Sequence, residues 1–192
     1  MAVAARYNLA LFGPAGSGKG TQAEFLKRCL GVEHIATGDM LRTERAQGTE
    51  LGQTVASYLD AGKLVPDEII VAMIRHRLED PQTDAGFVLD GFPRTLAQAR
   101  SLQEMLASLD RPLGGLVVLD VPTEQLISRL AVRSQLENRA DDTPRVIEER
   151  LRIYRDQTES VLDYLARDTP LVRLDGTKSP EEVSRALLAA IA

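Results

Sequence analysis

The chain has a single cysteine, no excess of basic charge and no long apolar run, and each shortage removes a class of function. Cys29 on its own can neither close an intramolecular disulfide nor find the cysteine neighbours of a four-ligand zinc site; it is expected as a small, buried apolar residue. Lys and Arg number 23 against 28 Asp and Glu, a net charge of -5, so no broad positive field exists to draw nucleic acid or an anionic membrane. Any anion must be gripped locally. No apolar stretch reaches the roughly 18 residues of a membrane span, and Met1 to Arg6 do not read as a secretory signal, so a cytoplasmic location is expected. Repeats and low-complexity tracts are also missing. The remaining composition, 44% hydrophobic and 27% charged over 192 residues, suits one compact domain.

Short apolar runs recur at Tyr7 to Phe12, Glu33 to Ala36, Gly86 to Asp90, Leu116 to Val121 and Pro170 to Leu174, with helix-period segments between most of them. Alternation of this kind predicts an α/β fold whose central five-stranded parallel sheet lies between two layers of helices. Ligands of such sheets bind beyond the carboxyl ends of the strands, where Gly13, Asp90 and Asp120 fall. Two stretches interrupt the alternation. Thr37 to Pro66 carries helix-period segments at Met40 to Gln47 and Leu51 to Ala61, and Ser134 to Asp142 is polar; both are expected as mobile insertions over a cleft. Thr143-Pro144 and Ser179-Pro180-Glu181-Glu182 announce helix starts, a cap followed by proline at the first helical position.

The strongest motif is Gly13-Pro14-Ala15-Gly16-Ser17-Gly18-Lys19, the phosphate-loop spacing set between a strand and a helix. Its glycines let backbone N–H groups converge on phosphate oxygens, the helix dipole aims positive charge at the same anion, and Lys19 can reach the β- and γ-phosphates. A glycine-rich turn with a solvated lysine is the bland alternative, and the strand-to-helix context argues against it. Gly20 stands where the general motif has Ser or Thr, which removes a hydroxyl from magnesium, although Thr21 follows. Magnesium is therefore expected through its waters near Asp90 and Asp39, with no direct ligand. His34 and His76 stand apart from any nucleophile or metal ligand and are read as structural.

Four further segments, Thr37-Gly38-Asp39-Met40-Leu41-Arg42, Gly62-Lys63-Leu64-Val65, Asp90-Gly91-Phe92-Pro93-Arg94 and Arg139-Ala140-Asp141-Asp142, followed by Asp175-Gly176-Thr177-Lys178, make the chain resemble adenylate kinase almost end to end. The Asp-Gly-Phe-Pro-Arg run is similar to the signature of nucleoside monophosphate kinases. The resemblance implies a P-loop NTPase fold forming a single kinase domain over residues 1–192, with an AMP-binding insertion at about 36–65 and a short lid at about 133–143. It implies that Gly16, Ser17, Gly18, Lys19, Gly20, Thr21, Arg129, Arg133 and Lys178 hold ATP. For AMP it implies Thr37, Arg42, Lys63, Leu64, Val65, Gly91, Phe92, Pro93, Arg94, Gln98, Arg139 and Arg150. Lys19, Arg94, Arg133, Arg139 and Arg150 would be catalytic. The short lid, Ser134-Gln135-Leu136-Glu137-Asn138, replaces a zinc-bearing one and has no cysteine, so no zinc is expected. Ala36 departs from the serine common in relatives. A monomer acting on ATP, AMP and ADP, with no nucleic-acid or membrane partner, is the family expectation.

The implied reaction is reversible magnesium-dependent phosphoryl transfer from ATP to AMP. A phosphate oxygen of AMP, already ionised near neutral pH, would attack, so no general base is required. Positioning and positive charge carry the work. A kinase preferring UMP or CMP differs typically around Thr37 and Gln98. A nucleotide-binding switch lacks support, because no Asn-Lys-x-Asp guanine-reading motif occurs and the arginines around a second anion would have no purpose.

Overall fold

The computed structural model describes residues 7–137 and 143–191. Strands β1 (Tyr7–Phe12), β2 (Glu33–Ala36), β3 (Gly86–Asp90), β4 (Gly115–Asp120) and β5 (Leu171–Asp175) form one sheet. Its order is β2-β3-β1-β4-β5, and every pairing is parallel. Successive strand side chains point to opposite faces. Ala10, Phe12, Phe87, Leu89, Leu116 and Val118 therefore build one core cluster, while Leu9, Leu11, Val88, Val117 and Leu119 build another.

Helices cover both faces. Against the first pack α4 (Asp67–Leu78), α5 (Leu96–Ser108) and α8 (Glu159–Leu165), through Ile74, Leu102 and Val161, which are fully buried. Against the second pack α1 (Lys19–Leu30) and α9 (Pro180–Ile191), through Ala23, Leu26 and Leu187. Burying one such side chain contributes roughly 1.5–3 kcal/mol, and burial on both faces explains strands that are almost wholly apolar. Between β2 and α4 lie α2 (Thr37–Gln47) and α3 (Glu50–Ala61). After β4 come α6 (Thr123–Glu137) and α7 (Pro144–Ile153), packed together through Leu126, Leu130, Ile147 and Leu151. A π-helical segment, Tyr154–Thr158, joins α7 to α8.

Local signals place the helix ends. Thr49, Thr95 and Thr143 cap α3, α5 and α7 with side-chain oxygens that accept the backbone N–H of Gly52, Gln98 and Val146. At α9, Ser179 and Glu182 exchange two such bonds, 3.0 and 3.3 Å, as a capping box. Buried Arg111 ties the end of α4 to the start of β3. Its guanidinium donates to Leu78 O at 3.1 Å, to Thr83 Oγ1 at 2.8 Å and to Thr83 O, and lies over the Phe87 ring.

Several expectations shift. β4 begins at Gly115, paired with Leu9, and ends at Asp120. β5 begins at Leu171, because Pro170 has no N–H and contributes only its carbonyl, to Leu116 N at 2.8 Å. Residues 134–137, read as the start of a polar insertion, continue α6. Cys29 is exposed and not buried. It sits in the last turn of α1 beside exposed Lys27 and Arg28, where that end of the helix runs out into solvent.

Candidate active site

The carboxyl ends of β1 and β3 open onto a cleft of about 730 Å³, a volume suited to small ligands. The start of α1 faces it without a cap: the Gly18 position offers no side-chain hydrogen bond, and the first turn has no acidic residue. The start of α2 at Ala36 likewise has no side-chain cap. Both helices thus leave backbone N–H groups and the positive dipole end toward the cleft, whereas α3, α5, α7 and α9 are capped by their own side chains.

In the phosphate loop, the Lys19 ammonium donates to Gly13 O at 2.8 Å and Pro14 O at 3.0 Å. Enclosure by protein lowers its pKa to about 8; Asp90 works against that drop, while Arg94 and Arg133 add to it. Asp90 shows the opposite balance. Burial favours its neutral form, yet His34, Lys19 and Arg94 outweigh burial and hold it below the usual carboxylate range. His34 lies between two carboxylates, Nδ1 2.8 Å from Glu24 Oε1 and Nε2 3.6 Å from Asp90 Oδ2. Burial opposes its charge, but Asp90 and Glu24 prevail and raise its pKa. The reading of His34 as a purely structural residue therefore changes: it lines the cleft and bears on Asp90. No local pattern signals this, because the approach of His34 to Asp90 comes from β2 pairing with β3, where Ala36 lies opposite Asp90.

A second cluster surrounds the turn after β3, where the Phe92–Pro93 peptide is cis. Gly91 O accepts from Arg94 Nε at 2.8 Å and from Thr37 Oγ1 at 3.0 Å. Gly91 has φ +80°, and a Cβ there would sit 2.8 Å from Arg94 Nη2, so only glycine lets the guanidinium lie against the turn. Arg94 N–H donates to Gln98 Oε1 at 2.8 Å, and Gln98 Nε2 donates to Asp67 Oδ1 at 2.6 Å; these partners fix which way the buried amide faces. Thr95 Oγ1 donates to the other Asp67 oxygen at 2.7 Å. Arg94 is itself lowered by burial, against Asp90 and together with Arg150 and Arg42, and as a guanidinium it stays charged. Arg42 pairs with exposed Asp39.

The remaining sequence candidates fall on the same walls. Gly16, Ser17, Gly18, Gly20 and Thr21 line the phosphate side, with Arg129 and Arg133 from α6 and Lys178 from the loop before α9. Lys63, Leu64, Val65, Phe92 and Pro93 line the other side with Arg150. Arg139 lies outside the described residues, as do Asp141 and Asp142. The sequence reading had passed over Gln22, which is buried. Its amide donates to Pro180 O at 3.1 Å and accepts from Ser184 Oγ at 2.9 Å, tying the loop that bears Lys178 to α1. Among the described residues no group of three or more His, Cys, Asp or Glu could hold a metal ion directly, and no helix is long and apolar enough to cross a membrane.

A phosphate loop whose lysine shares a cleft with five arginines, over a parallel sheet of this order, defines a phosphotransferase of the nucleoside monophosphate kinase class. The sequence model of the family described as Adenylate kinase matches residues 11–169. The chain is similar to the adenylate kinase of Stenotrophomonas maltophilia, 49% identical over 183 residues that cover 95% of this chain and 98% of that one. It is also similar to those of Thermosynechococcus vestitus, 47% identical with 95% and 96% covered, and Xylella fastidiosa, 44% identical with 95% and 98% covered. The chain belongs to the adenylate kinase family.

Proposed function

We propose that the cleft transfers the γ-phosphoryl group of ATP to AMP, reversibly and with magnesium, giving two ADP. The observation that carries the reading is the gathering of Lys19, Arg42, Arg94, Arg133 and Arg150 about one cleft in which Asp90 is the carboxylate that Lys19 and Arg94 feel most. Cations that lower one another's pKa values repel, and phosphates between them relieve that repulsion.

ATP phosphates lie on the loop of residues 13–19 and the open end of α1, with Lys19 moving from Gly13 O and Pro14 O to the β- and γ-oxygens. Arg129, Arg133 and Lys178 hold the rest of ATP. Arg42 and Arg94 fork the AMP phosphate, as planar guanidinium groups do, and Arg150 reaches between the two nucleotides. Thr37 and Gln98 flank the base, with Lys63, Leu64 and Val65 along it. The AMP phosphate attacks in line, and its proton is already gone. The residues fit magnesium held through its waters: a Cβ on Gly20 would lie 3.6 Å from Asp90 Oδ2, so an ionised carboxylate faces the place of the missing hydroxyl ligand. Asp39, exposed and held by Arg42, is the lesser contributor. Bound there, magnesium neutralises charge on the transferring phosphates. Residues 36–65 act as an AMP-binding insertion and 133–143, with Arg139, as a short lid that excludes water, on a monomer.

Steady-state ADP formation by Arg94→Ala tests the reading. A loss on the order of 100-fold or more in kcat is expected when one transition-state contact goes; near-normal turnover would remove Arg94 from the chemistry.

A further inference from the structure

Gly62 ends α3 and immediately precedes Lys63-Leu64-Val65. It is buried against an element far away in sequence. A Cβ built on Gly62 would lie 2.8 Å from Val146 Cγ1, 3.1 Å from Val146 O and 3.5 Å from Arg150 Cγ. Val146 sits in the first turn of α7, and Arg150, one turn later, shares its face. Val146 is 5% exposed yet belongs to none of the three core clusters found among the described residues. The end of α3 lies over it, with only a glycine hydrogen between.

The neighbouring helix supplies a comparison. Gly48 ends α2 with the same φ, +66°, and the same pair of hydrogen bonds: its N–H donates to Arg45 O at 3.1 Å, and Thr49 N–H donates to Glu44 O at 3.3 Å. At Gly62 these are Gly62 N–H to Leu59 O at 3.1 Å and Lys63 N–H to Tyr58 O at 2.9 Å. Nothing lies within 4 Å of a Cβ on Gly48. The left-handed turn asks for glycine at both positions, but only at Gly62 does the space ask for it as well.

We propose that Gly62 is a positioning residue for AMP: its bare Cα lets the end of α3 close onto α7 and seats residues 63–65 beside Arg150. The proposal rests on the reading of these residues as part of the AMP site. Carbon atoms pack at roughly 3.5–4.0 Å, so a methyl group held to 2.8 Å must push α3 and α7 apart by about 1 Å, a displacement that can cost up to about 100-fold in a phosphoryl-transfer geometry.

The test is steady-state kinetics in both nucleotides, with melting temperatures, for Gly62→Ala, Gly48→Ala, Gly62→Ala with Val146→Ala, and Arg42→Ala. Gly62→Ala is expected to raise KM for AMP by about tenfold, with KM for ATP within about twofold, as a misplaced AMP wall requires. Gly48→Ala carries the same backbone strain without the contact and is expected to lower the melting temperature less while leaving KM for AMP in place. Trimming Val146 removes Cγ1, so the double variant is expected to recover most of the AMP affinity. Should Gly62→Ala fail to fold, Val146→Ile thickens the same contact from the α7 side and is expected to raise KM for AMP alone. Equal behaviour of the two alanine variants, or no recovery in the double variant, would overturn the proposal. If Arg42→Ala raises KM for AMP while Gly62→Ala matches Gly48→Ala, this proposal alone fails; if Arg42→Ala leaves KM for AMP unchanged, the AMP-site reading fails and the proposal with it.

Discussion

Lys19→Met removes a charge that the folded chain holds at a cost. The pKa of Lys19 falls from 10.5 to about 8, chiefly through burial, and at about 1.36 kcal/mol per pH unit the drop is worth on the order of 3 kcal/mol. The sign follows from proton counts. Between about pH 8 and 10.5 the unfolded chain still carries a proton that the folded chain has released, so this group makes folded stability rise with pH across that window and leaves it flat below. Methionine fills much of the same space without titrating, and the carbonyls of Gly13 and Pro14, which lose their donor, add an offset that does not depend on pH. The assay is urea denaturation of both proteins at intervals from pH 7 to 10.5, without nucleotide. Wild type is expected to gain about 3 kcal/mol on the variant over that range, and the variant to lose nearly all turnover. Parallel stability curves would refute the buried, depressed lysine and the anion-seeking role drawn from it.

Two further outcomes follow from the fold around the site. Arg111→Met leaves Thr83 O without this donor and Leu78 O with only the Thr83 hydroxyl and is expected to destabilise by about 3 kcal/mol in a denaturation experiment, with KM values unchanged because Arg111 does not line the cleft. His34 has its pKa raised above 6.5 by Asp90 and Glu24 against burial; its contribution is full below pH 6.5 and fades as pH climbs through the raised value. The stability advantage of wild type over His34→Gln should therefore shrink as pH rises above 6.5, and an advantage that grows would show the ring folding in its neutral form.

Much of this was legible in the sequence because it is local. Strands buried on both faces read as apolar runs, the phosphate loop is a contiguous string, and Thr143 and Ser179 act within one turn of themselves. Contacts between distant segments were not legible. The exposure of Cys29 depends on where α1 runs out into solvent, and the pull of His34 on Asp90 depends on β2 pairing with β3. The start of β4 at Gly115 is set by its partner Leu9, and no pattern near Gly62 announces Val146. Gln98 shows both sides: its place after Arg94 was readable, whereas the carboxylate of Asp67 that orients its amide comes from the start of α4.

The most direct measurement is ADP formation by the purified protein supplied with MgATP and, in turn, AMP, UMP, CMP or GMP, against ATP alone. Turnover with AMP far above the other acceptors and the control is the result predicted by base contacts around Thr37 and Gln98 and by a cleft built for two nucleotides. Comparable or faster turnover with another monophosphate, or hydrolysis of ATP that needs no acceptor, would contradict it.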